Sequence, residues 1–147
     1  MPDYFASPMS EAEVRSMGSL ALAHVGDAVF ELLVRARLCA DGPAAVAQLH
    51  RRTVAQVNAA AQAEDMKKLL PLLTPEEAAL YKRGRNTKVN SVPHHADVGQ
   101  YHAATGLEAL FGWLYLREET GRIEELFALI MEEDHAPGRH GADGSAP

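Results

Sequence analysis

The sequence predicts an all-α protein, a compact helical bundle. Three observations lead there. Apolar residues recur at helical spacing along most of the chain. No segment alternates apolar and polar residues as a half-buried strand does. Capping and stop signals return at intervals suited to ordinary helices, which gives roughly five to seven of them.

Ser10 and Glu13 form a capping-box pair that opens a first helix. A second helix runs from about residue 19 to residue 38, with Leu22, Val25, Val29, Leu32 and Leu33 as its apolar stripe. Asp41, Gly42 and Pro43 make a turn, with Pro43 placed to start the next helix. Residues 44–70 are rich in good helix formers, and Pro71 ends or kinks that region. Thr74-Pro75-Glu76-Glu77 combines a cap, a proline at the first helical position and a glutamate that closes the box. Its helix is expected to end near Lys82 or Arg83, with 84–96 irregular. Asp97 caps a long helix expected to reach Thr120, with Gly121 as its stop. Ile123, Leu126, Phe127 and Ile130 mark a last amphipathic helix.

The 147 residues suit one domain, placed at 1–133, with 134–147 expected to be a disordered tail without apolar anchors. No apolar run is long enough to span a bilayer, and the first residues do not read as a signal peptide. A single cysteine, Cys39, allows no intrachain disulfide and fits a cytoplasmic location. No glycine-rich phosphate loop is present, so no nucleotide cofactor is expected. The net charge of −6 is unevenly spread. Residues 35–117 hold 11 Lys/Arg against 7 Asp/Glu, whereas the two flanks together hold 3 against 13. That distribution is compatible with a phosphate-facing middle section and equally with ordinary charge scatter.

Two carboxylates stand out. Asp27 follows Gly26 inside the apolar second helix. A charge among such neighbours is costly unless it is paired, metal-bound or on the exposed stripe, and this segment alone favours exposure. Gly26 weakens the helix by about 1 kcal/mol relative to alanine, which makes sense if another segment passes close by. Glu108 is the sole acid between Asp97 and Glu118, in the most apolar helix, where Gly106 and Gly112 permit close packing. It reads either as a structural ion pair, with an arginine of the Asp27 helix, or as a metal ligand. Converging across a bundle, the two acids would hold Mg²⁺ or Mn²⁺ through hard oxygen ligands. Such an ion activates water and stabilises charge on a phosphodiester.

The segment 82–88 places Lys82, Arg83, Arg85 and Lys88 among Gly84, Asn86 and Thr87, and reads as turn-like. It is either a solvated loop or a contact for phosphate and sugar, the features through which duplex RNA is read. His50-Arg51-Arg52 is a weaker second candidate. His94 and His95 match no ligand spacing and read as loop residues.

In this order, the Gly26-Asp27-Ala28-Val29 segment, the basic run 82–88 and the Leu107-Glu108-Ala109-Leu110 segment resemble the ribonuclease III family in its compact Mini-ribonuclease III branch. The resemblance covers about residues 20–130. It implies an all-helical, Mg²⁺-dependent endoribonuclease acting as a homodimer on double-stranded RNA, with Mn²⁺ as a substitute. Asp27 and Glu108 match the family's signature acids and would be catalytic metal ligands. Lys82, Arg83, Arg85, Asn86 and Lys88 would contact RNA. The implied substrate is precursor 23S ribosomal RNA, cut in its base-paired stem to leave 5′-phosphate and 3′-hydroxyl ends. Ordinary ribonuclease III carries further acids where this chain has Ala23 and Thr105, replacements typical of the Mini branch. The length leaves no room for a separate double-stranded-RNA-binding domain in this chain. Two competing readings are a catalytically silent module that binds ribosomal RNA and a helical protein-interaction domain.

Overall fold

A computed structural model describes residues 2–89, 91–94 and 97–134. Among the described residues seven α-helices form: α1 (Glu11–Arg15), α2 (Ser19–Ala40), α3 (Val46–Gln56), α4 (Ala59–Leu69), α5 (Pro75–Arg85), α6 (Val98–Leu116) and α7 (Thr120–Asp134). A 3-10 turn (Leu70–Leu72) joins α4 to α5. No strand occurs among the described residues. The expected all-α class and helix count agree with this.

The caps explain where the helices start. Ser10 and Thr74 each close a full capping box, with Glu13 and Glu77 respectively. Asn58 accepts a hydrogen bond from the Ala61 amide at 2.9 Å and starts α4. That cap splits the region 44–70, which composition alone reads as one helical stretch, into α3 and α4. The last helices also differ from expectation. Helix α6 ends at Leu116, not near Thr120, and Gly121 lies in the first turn of α7. The stop is Glu118, which takes a left-handed φ of 59°. Its amide bonds to the Tyr115 carbonyl and the Glu119 amide to the Leu114 carbonyl, each at 2.9 Å. This closes the end of α6 in the manner of a Schellman motif, at a residue other than the usual glycine.

Helix α6 is the axis of the fold. From Ala104 to Leu116 nearly every residue is buried, because α2, α4, α5 and α7 all pack on it. A helix enclosed this way must be apolar all round, which is how its sequence reads. Phe30 of α2 ties the layers together, meeting Phe111 edge-on at 5.5 Å and Phe127 of α7 at 5.9 Å. Burying each such large side chain contributes about 1.5–3 kcal/mol.

The buried face of α2 runs through Leu22, Ala23, Gly26, Phe30, Val34 and Leu38. It is turned relative to the stripe expected from the leucines and valines. Val25, Val29 and Leu33 are half-buried, and Leu32 is 60% exposed. The reason is Gly26: α6 approaches there, so the glycine faces the core and Leu32 faces out. No described helix is long and apolar enough to cross a membrane. The expected tail beyond Asp134 lies outside the described residues, as do Asn90, His95 and Ala96 of the connecting segment.

Candidate active site

The site begins with two glycines. A Cβ on Gly26 would overlap the Glu108 carbonyl oxygen and lie 2.7 Å from the Gly112 amide nitrogen. A Cβ on Gly112 would overlap the Leu22 carbonyl oxygen and lie 2.9 Å from the Gly26 nitrogen. No real side chain tolerates such approaches, so α2 and α6 touch backbone to backbone at this crossing. The residue after Gly26 is Asp27, and Glu108 sits one turn before Gly112. The crossing therefore brings the two acids together.

Asp27 is exposed and Glu108 half-buried. Burial and the neighbouring Asp27 carboxylate push the Glu108 carboxyl up to about 8. The Asp27 side chain lies within hydrogen-bonding reach of Glu108 and favours its protonated form. The alternative of a structural ion pair with an arginine of α2 is not what forms. Arg35 pairs with Glu31, and Arg37 with Asp41 at 3.7 Å. Exposure of Asp27, which the sequence favoured, is correct, but the exposed carboxylate abuts Glu108.

A third polar side chain joins the pair. Gln62 of α4 is 3% exposed. Its amide lies beside Glu108 and favours the ionised carboxylate, yet its Nε2 is buried with no well-formed hydrogen bond. Nothing in the sequence marked Gln62, which stands in an Ala/Gln-rich helix where it reads as a helix former.

These residues fit a hard divalent cation. Two carboxylates held together against their repulsion, one of them kept protonated by burial and by the other, are relieved by a shared positive charge. Carboxylate oxygens without thiolate or imidazole companions suit Mg²⁺ or Mn²⁺. Among the described residues no group of three or more His, Cys, Asp and Glu side chains gathers, so the donor set is small. Bound water would complete the shell.

The basic segment differs from its expected form. Helix α5 continues to Arg85, with Asn86 as its C-cap, so Lys82, Arg83 and Arg85 stand on a helical last turn. Gly84 is a packing residue and not a turn residue: a Cβ there would lie 2.9 Å from the Ala109 Cβ and 3.1 Å from the Gly106 Cα. Cations at a helix C-terminus also complement its partial negative charge. The contact pins the basic end of α5 to the turn of α6 that carries Glu108. Arg83 donates to Ser19 Oγ at 3.2 Å and to the Met17 carbonyl at 3.4 Å, fastening α5 to the start of α2. Arg85 lies over the Tyr81 ring at 5.7 Å and donates to Asn86 Oδ1 at 3.2 Å. Lys82 and Lys88 are exposed. His50, Arg51 and Arg52 are exposed on α3.

An all-helical domain with paired acids at a glycine crossing and a basic helix end defines a class, and comparison with known proteins identifies it. Residues 20–119 match the model of the ribonuclease III domain. The chain belongs to the ribonuclease III family. Its relatives there carry the name Mini-ribonuclease 3. One from a Synechocystis species is 45% identical over 131 residues, covering 89% of this chain and 90% of the relative. Another, from Gloeobacter violaceus, is 41% identical over 139 residues, covering 95% and 98% respectively. A crystal structure of a protein from Fusobacterium nucleatum superposes with a TM-score of 0.74 at 30% identity, covering 83% of this chain and 98% of that one.

Proposed function

We propose that this ribonuclease is a metal-dependent endonuclease that cuts double-stranded RNA at a site built on Asp27 and Glu108. The observation that carries the reading is the Gly26–Gly112 crossing, which sets two carboxylates side by side at a cost that a divalent cation removes. When bound, Mg²⁺ (or Mn²⁺ in its place) supplies an activated water and neutralises charge building on the phosphate.

The chain's own residues do the rest. Asp27, exposed on α2, and Glu108, half-buried on α6, provide anionic oxygens from two rigid helices whose spacing the glycines fix. Asp27 and Glu108 would hold the cation, Glu108 as its carboxylate. Lys82, Arg83, Arg85, Asn86 and Lys88 receive the phosphates and sugars of the duplex. The products carry 5′-phosphate and 3′-hydroxyl ends. The substrate is the base-paired stem of precursor 23S ribosomal RNA, processed in the cytoplasm.

The working form is a homodimer that joins through the α2 surface. Leu20 and Leu32, 46% and 60% exposed, leave apolar area on the helix that carries Asp27. A second copy covering them would set two metal sites beside one RNA groove.

The test is incubation of labelled duplex RNA, including a 23S precursor stem, with the protein in saturating Mg²⁺. Cleavage to products with 5′-phosphates is expected. Tight binding of the duplex without cleavage would instead support a silent ribosomal-RNA-binding module. No salt-sensitive binding to any duplex would support a protein-interaction domain.

A further inference from the structure

Helix α4 lies against α6 and buries Gln62, Ala63, Asp65, Met66 and Leu69. Gln62, Met66 and Leu69 follow one another at helical spacing on its core-facing stripe. Packing asks for an apolar residue at the first position as it does at the other two. A glutamine 3% exposed there carries two amide N–H donors out of water. The Nε2 atom that bears them makes no well-formed hydrogen bond. Leaving such a donor unpaired is destabilising, so its retention asks for a state in which it is used. The group beside it is the carboxyl of Glu108.

We propose that Gln62 is a positioning residue for Glu108: its amide nitrogen donates to one oxygen of the carboxylate and leaves the other free to hold, with Asp27, a divalent cation. The inference rests on the metal-site reading above. A metal-binding carboxylate is a strong, charge-assisted acceptor, and it would satisfy the buried amide donor. An outer partner that orients a metal-binding carboxylate commonly governs metal affinity by about 10–100-fold. Asn58 sets the position: by capping α4 it starts the helix at Ala59 and places residue 62 within the first turn, fixed against α6.

The test is a Mn²⁺ titration, read by electron paramagnetic resonance, of wild type, Glu108→Gln, Gln62→Leu and Gln62→Met. Thermal melts of the metal-free proteins run alongside. Wild type binding Mn²⁺ and Glu108→Gln binding it much more weakly establishes the metal site itself; equal binding by these two overturns that reading before Gln62 is considered. Given a metal site, Gln62→Leu and Gln62→Met are each expected to bind Mn²⁺ about tenfold or more weakly. Their metal-free melting temperatures should equal or exceed that of wild type, because an unpaired buried donor has been removed. Mn²⁺ affinity unchanged in both variants overturns the proposal. So does loss of the helical circular dichroism signal in both, which would make Gln62 a packing residue. Methionine keeps the unbranched shape of glutamine and covers the case in which leucine alone fits badly.

Discussion

Gly26 and Gly112 stand face to face where α2 crosses α6, each occupying the space that a side chain on the other helix would need. Asp27 and Glu108 meet because these two residues have no side chains. The crossing is both a backbone-to-backbone contact between the helices and the device that forms the carboxylate pair.

Replacing Gly26 with alanine should therefore disturb stability and site together. The added methyl group meets the Glu108 backbone, which cannot swing aside as a flexible side chain would. Overpacking of this kind costs about 3 kcal/mol. A denaturant melt is expected to show that loss, with Mn²⁺ binding weakened in the folded fraction. Gly121→Ala is the contrast: nothing lies within 4 Å of a Cβ there, and alanine favours the helix. Equal stability in the two variants would contradict the packing account.

Glu108 makes the metal-free protein sensitive to pH. Its carboxyl is raised from 4.5 to about 8 in the folded state, so the folded protein holds a proton that the unfolded chain releases. The stabilisation is full below 4.5 and is lost as pH rises through about 8. In EDTA, wild type should lose melting temperature across that window, and Glu108→Gln should lose less and be the more stable protein at its upper end. Added Mg²⁺ should reverse the order. Parallel pH profiles for the two proteins would show that Glu108 does not carry the strain.

A different pair holds α5 to α7. Arg122 grips Glu77 with two bonds of 2.8 Å and donates to the Leu72 carbonyl at 3.0 Å. Glu77 is 4% exposed, and the guanidinium holds its carboxyl below the usual range. Arg122→Ala strands a buried charge, a loss of about 3–5 kcal/mol in comparable pairs. Because the folded pKa of Glu77 is depressed, the pair's contribution is complete above 4.5 and fades as pH falls through the lowered value. The destabilisation by Arg122→Ala, measured by urea melts, should accordingly be large at neutral pH and shrink in acid.

The basic end of α5 divides into two kinds of residue. Lys82 and Lys88 are exposed, whereas Arg83 is engaged with Ser19 and Met17. Lys82→Ala and Lys88→Ala should leave the melting temperature unchanged. Each should weaken duplex-RNA binding and reduce the slope of log affinity against log salt by about 1. Arg83→Ala should lower both RNA affinity and stability. If neither lysine alters the salt slope, the duplex approaches another surface, with the exposed His50-Arg51-Arg52 face the next to be examined.

Much of this was legible in the chain. Asp27 and Glu108 stand out because a charge inside an apolar helix needs a reason, and the glycines around them announce close approach. The capping boxes at Ser10 and Thr74 mark helix starts because their residues are neighbours in sequence. Gln62 was not legible, since its meaning depends on α6 lying against α4, and composition says only that it favours a helix. The Glu77–Arg122 pair spans 45 residues and has no local pattern. Glu118 hides the end of α6 by adopting a conformation that sequence assigns to glycine. Gly84 misleads in the opposite direction, since its lack of a side chain serves packing on Gly106 and Ala109 inside a helix.

The most direct test of the carboxylate pair is cleavage of one labelled duplex RNA by wild type, Asp27→Asn and Glu108→Gln, each with Mg²⁺ and with EDTA. Both substitutions keep shape and remove an anionic oxygen. Wild type should cut only with Mg²⁺, and both variants should lose cleavage by orders of magnitude while still binding the duplex. Cleavage by Glu108→Gln at the wild-type rate, or undiminished cleavage by wild type in EDTA, would contradict the account.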